Sequence, residues 1–258
     1  MSLSPKAEIS KETSFIPGEI QPIKFLYYLE AQLSAFSNKR SGSKTRLNLL
    51  VATAKLLESE VFSDINVQEI CSQADVAKGT FYLQFKTKEQ IIQALFEEYI
   101  NFEYNSMPYV GDEIGTFESM TLFVAWYERT FHQNVGLMRS FVRMTDADEA
   151  LAELWRRRND QIVQRGIANY LLRSKFDKDR KKLALLAIRT LGGIMDYSLF
   201  ARHGIHPASD FTHEFSEDDL IEFHSLLMYR GLYGEDPPVK ERSSMVQYFI
   251  DRASPVQL

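Results

Sequence analysis

Residues 74–91 read ADVAKGTFYLQFKTKEQI, and the reading of this stretch decides the fold. Phe81 and Phe85 stand about one helical turn apart, so both pack inward from the same face. Tyr82 falls on a different face and keeps its hydroxyl for another partner. Gly79 has no side chain, so the start of this helix can approach another body closely. Thr80 adds a hydroxyl and a methyl, and Lys78, Lys86 and Lys88 place positive charge at the edges. Thr87 followed by Gln90 has capping-box spacing. It opens a further helix carrying Ile91, Ile92, Leu95, Phe96, Tyr99 and Phe102.

Upstream, apolar residues at 47, 50, 51, 54 and 57 form one helical stripe over residues 44–59. A short helix is predicted over Val67–Gln73 with Asn66 as its N-cap, broken at Asp75-Val76. A third runs from about Lys78 to Phe85. Short helices joined by tight turns match a helix-turn-helix unit. One helix of such a unit lies in the major groove of DNA while the preceding one braces it on the backbone. On this reading Thr80 touches a phosphate or a thymine methyl, and the Tyr82 hydroxyl reaches a phosphate oxygen. The N-termini of the helices beginning at 67 and 88 add partial positive charge toward phosphates.

At this point a family resemblance is visible. The stretch TRLNLLVATAKLLESEVFSDINVQEICSQADVAKGTFYLQFKTKEQI (45–91) resembles the DNA-binding domain of the TetR family of bacterial transcriptional repressors. Its features are Ala54, Leu57, Phe62, Val67, Ile70, the run Ala77-Lys78-Gly79-Thr80-Phe81-Tyr82, Phe85 and Lys88-Glu89. The resemblance implies that Asn66 contacts phosphate, that Lys78, Gly79, Thr80, Leu83 and Gln84 lie on or near base edges, and that Tyr82 and Lys88 grip the backbone. Val61 and Asp75 stand where the family has glycines, and Gln84 where it often has a DNA-proximal histidine. These departures bear on operator sequence and affinity.

Charge is distributed accordingly. The whole chain of 258 residues carries a formal net charge of −5, which excludes a protein that coats nucleic acid over its whole surface. From Lys39 to Ile92, however, there are eight Lys+Arg against six Asp+Glu, a mildly basic module on a more acidic body. The basic segment with Lys39, Arg40 and Lys44 reads either as a minor-groove arm or as a solvated linker. A single cysteine, Cys71, permits no intrachain disulfide and fits a reducing, cytoplasmic setting; its place in the second helix of the module makes it a core residue. The start, MSLSPKAEIS, does not read as a signal peptide. No run of about 18 uninterrupted apolar residues indicates a membrane span.

The expected class is all-α, in three parts. Residues 1–43 form an N-terminal arm with an extra helix near 22–36, whose Phe25, Tyr27, Tyr28 and Phe36 need a surface to bury against. Residues 44–92 form the helix-turn-helix DNA-binding domain, and 93–258 a helical ligand-binding and dimerisation domain. In the last part, helices are expected over about 116–133, 135–145, 148–174, 178–203 and 217–232, starting near Asp146 and Asp177 and ending at Gly204 and Gly234. Two half-sites require two modules, so a homodimer is expected. Its interface is placed on Leu183, Leu186, Ala187, Thr190, Leu191, Ile194 and Tyr197, with Leu220, Phe223, Leu227 and Met228, in the four-helix bundle the resemblance implies. Phe123, Trp126, Tyr127, Met138, Phe141, Trp155 and Met195 are the candidate lining for a hydrophobic effector, with Tyr127, His132 and Arg143 as polar anchors.

No cofactor and no metal are expected. His203, His206, Asp210 and His213 cluster in a loop without the spacing of a known site, and no GxSxG, P-loop or GxGxxG signature points to an enzyme. The expected function is a ligand-responsive, sequence-specific DNA-binding regulator, a repressor released by a small hydrophobic molecule. The alternative is a helical adaptor that has lost DNA binding.

Overall fold

The computed structural model describes residues 23–36, 42–108, 115–173, 178–205 and 213–253. Among these, the regular elements are all helical. They are α1 (Phe25–Ala35), α2 (Gly42–Leu56), α3 (Val67–Gln73), α4 (Lys78–Gln84), α5 (Lys88–Ser106), α6 (Thr116–Gln133), α7 (Val135–Met144), α8 (Glu149–Arg173), α9 (Lys178–Arg202), α10 (Glu217–Tyr233) and α11 (Ser244–Ala253), with a short 3-10 turn at Val239–Glu241.

Helix boundaries follow local chemistry. The Asn66 side chain accepts from the Glu69 backbone N–H at 3.0 Å, and the Glu69 carboxylate accepts from the Asn66 N–H at 2.6 Å. This closes a capping box at the start of α3. Thr87 caps α5 by accepting from the Gln90 N–H, but the Gln90 side chain reaches back to the N–H of Lys86 and not to Thr87. Gly204 (φ 61°) and Gly234 (φ 73°) terminate α9 and α10 in the left-handed conformation that glycine adopts without strain. Asp148, not Asp146, starts α8: its carboxylate accepts from the N–H groups of Ala150 and Leu151. Asp177 lies outside the described residues, as do residues 1–19.

α1 docks on its own chain. Phe25 is fully buried, edge-on to Tyr99 and tilted against Phe102, and Tyr28 also meets Phe102. Asn134, between α6 and α7, holds the helix start by accepting from the Phe25 N–H at 2.8 Å and donating to the Ile23 carbonyl at 2.8 Å. Tyr27 and Phe36 stay exposed. The segment expected as a basic linker is shorter than the sequence suggested. α2 begins at Gly42, so Lys44 belongs to a helix, while Lys39 and Arg40 fall outside the described residues.

α5 runs from the module into the body. Its Phe96 stacks on Phe141 of α7 at 3.8 Å and 10°. Its Glu103 meets Arg158 of α8 in a buried two-armed pair of 2.7 and 2.6 Å. α11 was not foreseen from sequence. It packs Val246 and Ile250 against Leu226 and Tyr229 of α10 and Phe117 of α6. Ser243 caps it by accepting from the Val246 N–H, and the following apolar residues at i+3, i+6 and i+7 were its legible signal.

Candidate nucleic-acid interface and body cavity

α2, α3 and α4 share one small core. Phe81, Phe85, Ile70, Cys71 and Phe62 are almost wholly buried within it. Burial pushes the Cys71 thiol up from its ordinary value, as befits a packing residue. The Asn48 side chain donates to the Ala74 carbonyl at 2.7 Å and pins the end of α3 to α2. With Phe81 and Phe85 anchored inward, α4 presents its other faces outward. Lys78 and Gly79 are exposed, Tyr82 is 47% exposed and Leu83 82%. Thr80 and Gln84 are half-buried at the edges of that surface. A Cβ built on Gly79 meets no atom within 4 Å, so the space in front of the helix start is open.

Of the residues expected near base edges, Lys78, Gly79 and Leu83 are therefore accessible. Leu83 takes no part in the core. Asn66 is exposed at the start of α3, with its Oδ1 committed to the cap. The partial positive charge expected at that helix start is offset by the Glu69 carboxylate bonded over it.

Lys88 departs from its expected role as a backbone grip. Its ammonium donates to the carbonyls of Phe62 (2.7 Å), Ser63 (3.3 Å) and Ile65 (2.6 Å) and sits 4.4 Å over the Phe62 ring. Those carbonyls belong to the turn before α3, which has no helical partner for them. The lysine therefore staples that turn to α5. Arg46, which the sequence reading passed over, is a cation beside the interface: its guanidinium lies 4.3 Å over the Phe85 ring at the end of α4.

In the body the expected lining residues separate into two groups. Met138 and Phe141 are fully buried, and Phe141 is stacked on Phe96 and edge-on to Trp155, so these three belong to solid core. Trp126 packs between Phe123 and Tyr127 and donates to the Ser106 hydroxyl. Phe123, Tyr127 and Met195 do line a cavity of about 210 Å³ between α6, α8 and α9, with Met228 of α10 at one side. Asp196 and the pair Gly192-Gly193 also line it, and neither was expected from sequence. Of the anchors, Tyr127 donates its hydroxyl to the Asp196 carboxylate. His132 and Arg143 are exposed and do not line this cavity. Burial, then the Asp196 carboxylate, pushes the Tyr127 hydroxyl well above its ordinary value.

The histidine cluster noted in the sequence falls partly outside the described residues. His206 and Asp210 lie outside the described residues, and among the described residues no group of three or more His, Cys, Asp or Glu is placed to hold a metal ion. His224 instead meets Glu128 at 2.7 Å inside the α6–α10 contact.

A helix-turn-helix with an open reading face, set on a larger helical body, defines a DNA-binding module. Residues 49–95 match the family profile of bacterial regulatory proteins, tetR family. The chain is 30% identical over 66 residues to the HTH-type transcriptional regulator YerO of Bacillus subtilis, covering 26% of this chain and 23% of that one. It is 31% identical over 61 residues to the HTH-type transcriptional regulator EthR of Mycobacterium tuberculosis, covering 24% and 28%. These matches span less than a third of either relative's length. The similarity to TetR-family regulators thus lies in the helix-turn-helix module.

Proposed function

We propose that the chain is a sequence-specific transcriptional regulator that binds its operator as a homodimer and is released by a small hydrophobic effector. The observation that carries the reading is the α4 surface: Phe81 and Phe85 locked inward, with Lys78, Gly79, Tyr82 and Leu83 left accessible beside an open approach. Lys44, Thr80 and Gln84 complete the proposed contact surface, with Asn66 on phosphate. Lys88 supports the scaffold of that surface from behind.

Dimerisation is supported by α9. Leu183, Leu186, Ile194 and Tyr197 are between 45% and 65% exposed along one stripe, while Ala184, Ile188, Met195 and Leu199 on the other side are buried. Leu220 and Met228 of α10, expected at the interface, are buried within the chain instead, leaving Phe223 as the exposed aromatic of that helix. The effector site is the α6/α8/α9 cavity. α5 is the lever, because its two ends belong to the module and to the cavity-bearing body. A ligand lowers operator affinity only by its differential affinity for the two arrangements. A regulator of this kind acts where the chromosome lies, in the cytoplasm.

The test is capture of genomic fragments by the purified full chain, followed by titration of a captured fragment in rising salt. Recovery of a defined operator whose affinity falls steeply with salt supports the reading. One observation favours the adaptor alternative: with Lys88 engaged internally and Asp75 exposed beside α4, the module offers a thin positive surface. Binding of no fragment would support that alternative.

A further inference from the structure

The body cavity holds a charge problem that its apolar lining does not explain. Arg158 is 1% exposed, and both arms of its guanidinium are held by Glu103 at 2.7 and 2.6 Å, with a third bond to the Asn159 side chain at 3.0 Å. Burial works against this cation, and the Glu103 charge beside it more than compensates, so Arg158 stays ionised and its charge is cancelled. Asp196 is left over. Its contact is the neutral Tyr127 hydroxyl, and among the described residues no cation pairs with it. The remaining charged groups nearby are Arg189 of α9 and Asp160 of α8, bound to each other at 2.5 Å and half-exposed. His224 of α10 is engaged by Glu128.

The cavity around Asp196 is roomy on one side for a specific reason. Gly192 and Gly193 lie on its wall, and a Cβ built on either meets nothing within 4 Å. Phe123 and Tyr127 face that open wall from α6. Aromatic faces are attracted to cations as well as to apolar surface. The site thus combines a carboxylate without a counter-ion, an aromatic wall and space for a flat or chain-like body.

We infer that the α6/α8/α9 cavity takes an organic cation, an apolar molecule carrying one protonated amine or quaternary ammonium whose charge sits against Asp196. The inference deepens the effector reading given above and rests on it. Burial holds the Asp196 carboxyl above its usual range, against the opposing pull of Arg158 and the Tyr127 hydrogen bond. A bound cation removes that penalty, whereas a neutral alcohol does not and a carboxylate adds to it. Cation binding therefore weakens as the pH falls through the raised Asp196 value and the carboxylate is neutralised.

The test is calorimetric titration of the full chain with phenylbutylamine, phenylbutanol and phenylbutyrate, which share one apolar body and differ in charge. The amine is expected to bind at least about tenfold more tightly than the alcohol, as a charge-assisted contact implies, and the acid most weakly. Asp196→Asn, which keeps an acceptor for Tyr127, brings the amine to within about twofold of the alcohol. Gly192→Leu fills the cavity and abolishes binding of all the compounds. An alcohol or acid that binds wild type as tightly as the amine overturns the cation inference and leaves the effector cavity standing. So does an amine preference that survives Asp196→Asn. Failure of every compound to bind, or amine binding that survives Gly192→Leu, overturns the effector cavity and the cation inference together.

Discussion

Asp75 shows how a single residue in the recognition turn is held against its own preference. Its φ of 51° lies in the left-handed region, and among the described residues it is the non-glycine residue found there. The hydrogen bonds explain why. Val76 N–H donates to the Cys71 carbonyl and Asp75 N–H to the Ser72 carbonyl, the paired closure that ends a helix in a Schellman motif. α9 ends in the same way, with Ile205 bonded to Phe200 and Gly204 to Ala201, but there glycine takes the strained position. Asp75→Gly is therefore expected to raise stability by about 0.5–1 kcal/mol in urea denaturation, relieving the Cβ clash with some entropic offset. It also removes a carboxylate beside α4, so operator affinity should rise, most clearly at low salt. Asp196 gives the opposite pH signature to a paired carboxylate. Its folded-state value is raised, so the native protein holds that proton more tightly than the unfolded chain. Stability from this group is full below about pH 4, near the unfolded value, and declines as pH rises through the raised native one. Asp196→Asn should match wild type in thermal melts at the acid end of that window and exceed it at neutral pH. A gap that instead opened on acidification would show that Asp196 is ion-paired in the native protein.

At the scale of the element, α4 separates packing from the proposed reading of DNA. Phe81→Ala removes a fully buried ring and should cost about 3–5 kcal/mol, unfolding the module. Leu83→Glu, at a site 82% exposed, should leave stability within about 0.5 kcal/mol yet weaken operator binding at least tenfold in gel-shift titration. If Leu83→Glu bound the operator as tightly as wild type, α4 would not be the reading helix. The packing half of this division was legible in the sequence because it rests on local periodicity. The spacing of Phe81 and Phe85, the Asn66 cap and the glycine stops of α9 and α10 are all settled within a few residues. What the sequence hid was decided over long separations. Lys88 reads as a phosphate ligand until the turn at Phe62–Ile65, over twenty positions earlier, is brought under its ammonium. Phe141 reads as cavity lining until α5 lays Phe96 across it, and Met138 until the fold buries it completely. Asp196 carries no local signal on its long helix, and only the tertiary arrangement sets Tyr127, Arg158 and Glu103 around it.

For the whole molecule, the proposed homodimer turns on how two reading heads are spaced, and α9 carries the surface proposed to set that spacing. Over Lys181–Arg202 this helix is long and apolar enough, by length and composition, to cross a membrane, yet its apolar residues divide into two faces with different neighbours. Ala184, Ile188, Met195 and Leu199 are buried in the chain, while Leu183, Leu186, Ile194 and Tyr197 are not. A helix apolar on both faces, one already packed, fits a position between a protein core and a second copy of the same surface. Phe215, Phe223 and Phe249 extend that surface through a neighbouring groove with Ile194. Charging the stripe without disturbing the core tests the arrangement. Leu186→Glu and Ile194→Glu alter exposed side chains, so the monomer fold and its helical circular dichroism should persist, with stability changed by no more than about 0.5 kcal/mol. Burying four carboxylates across a two-fold interface is prohibitive, so wild type is expected to sediment as a dimer and the double variant as a monomer. Operator binding should fall with it, because one module reads only one half-site and the affinity gained by linking two is lost. A double variant that remained dimeric would move the interface off α9, and a monomer that kept full operator affinity would show that one reading head is enough.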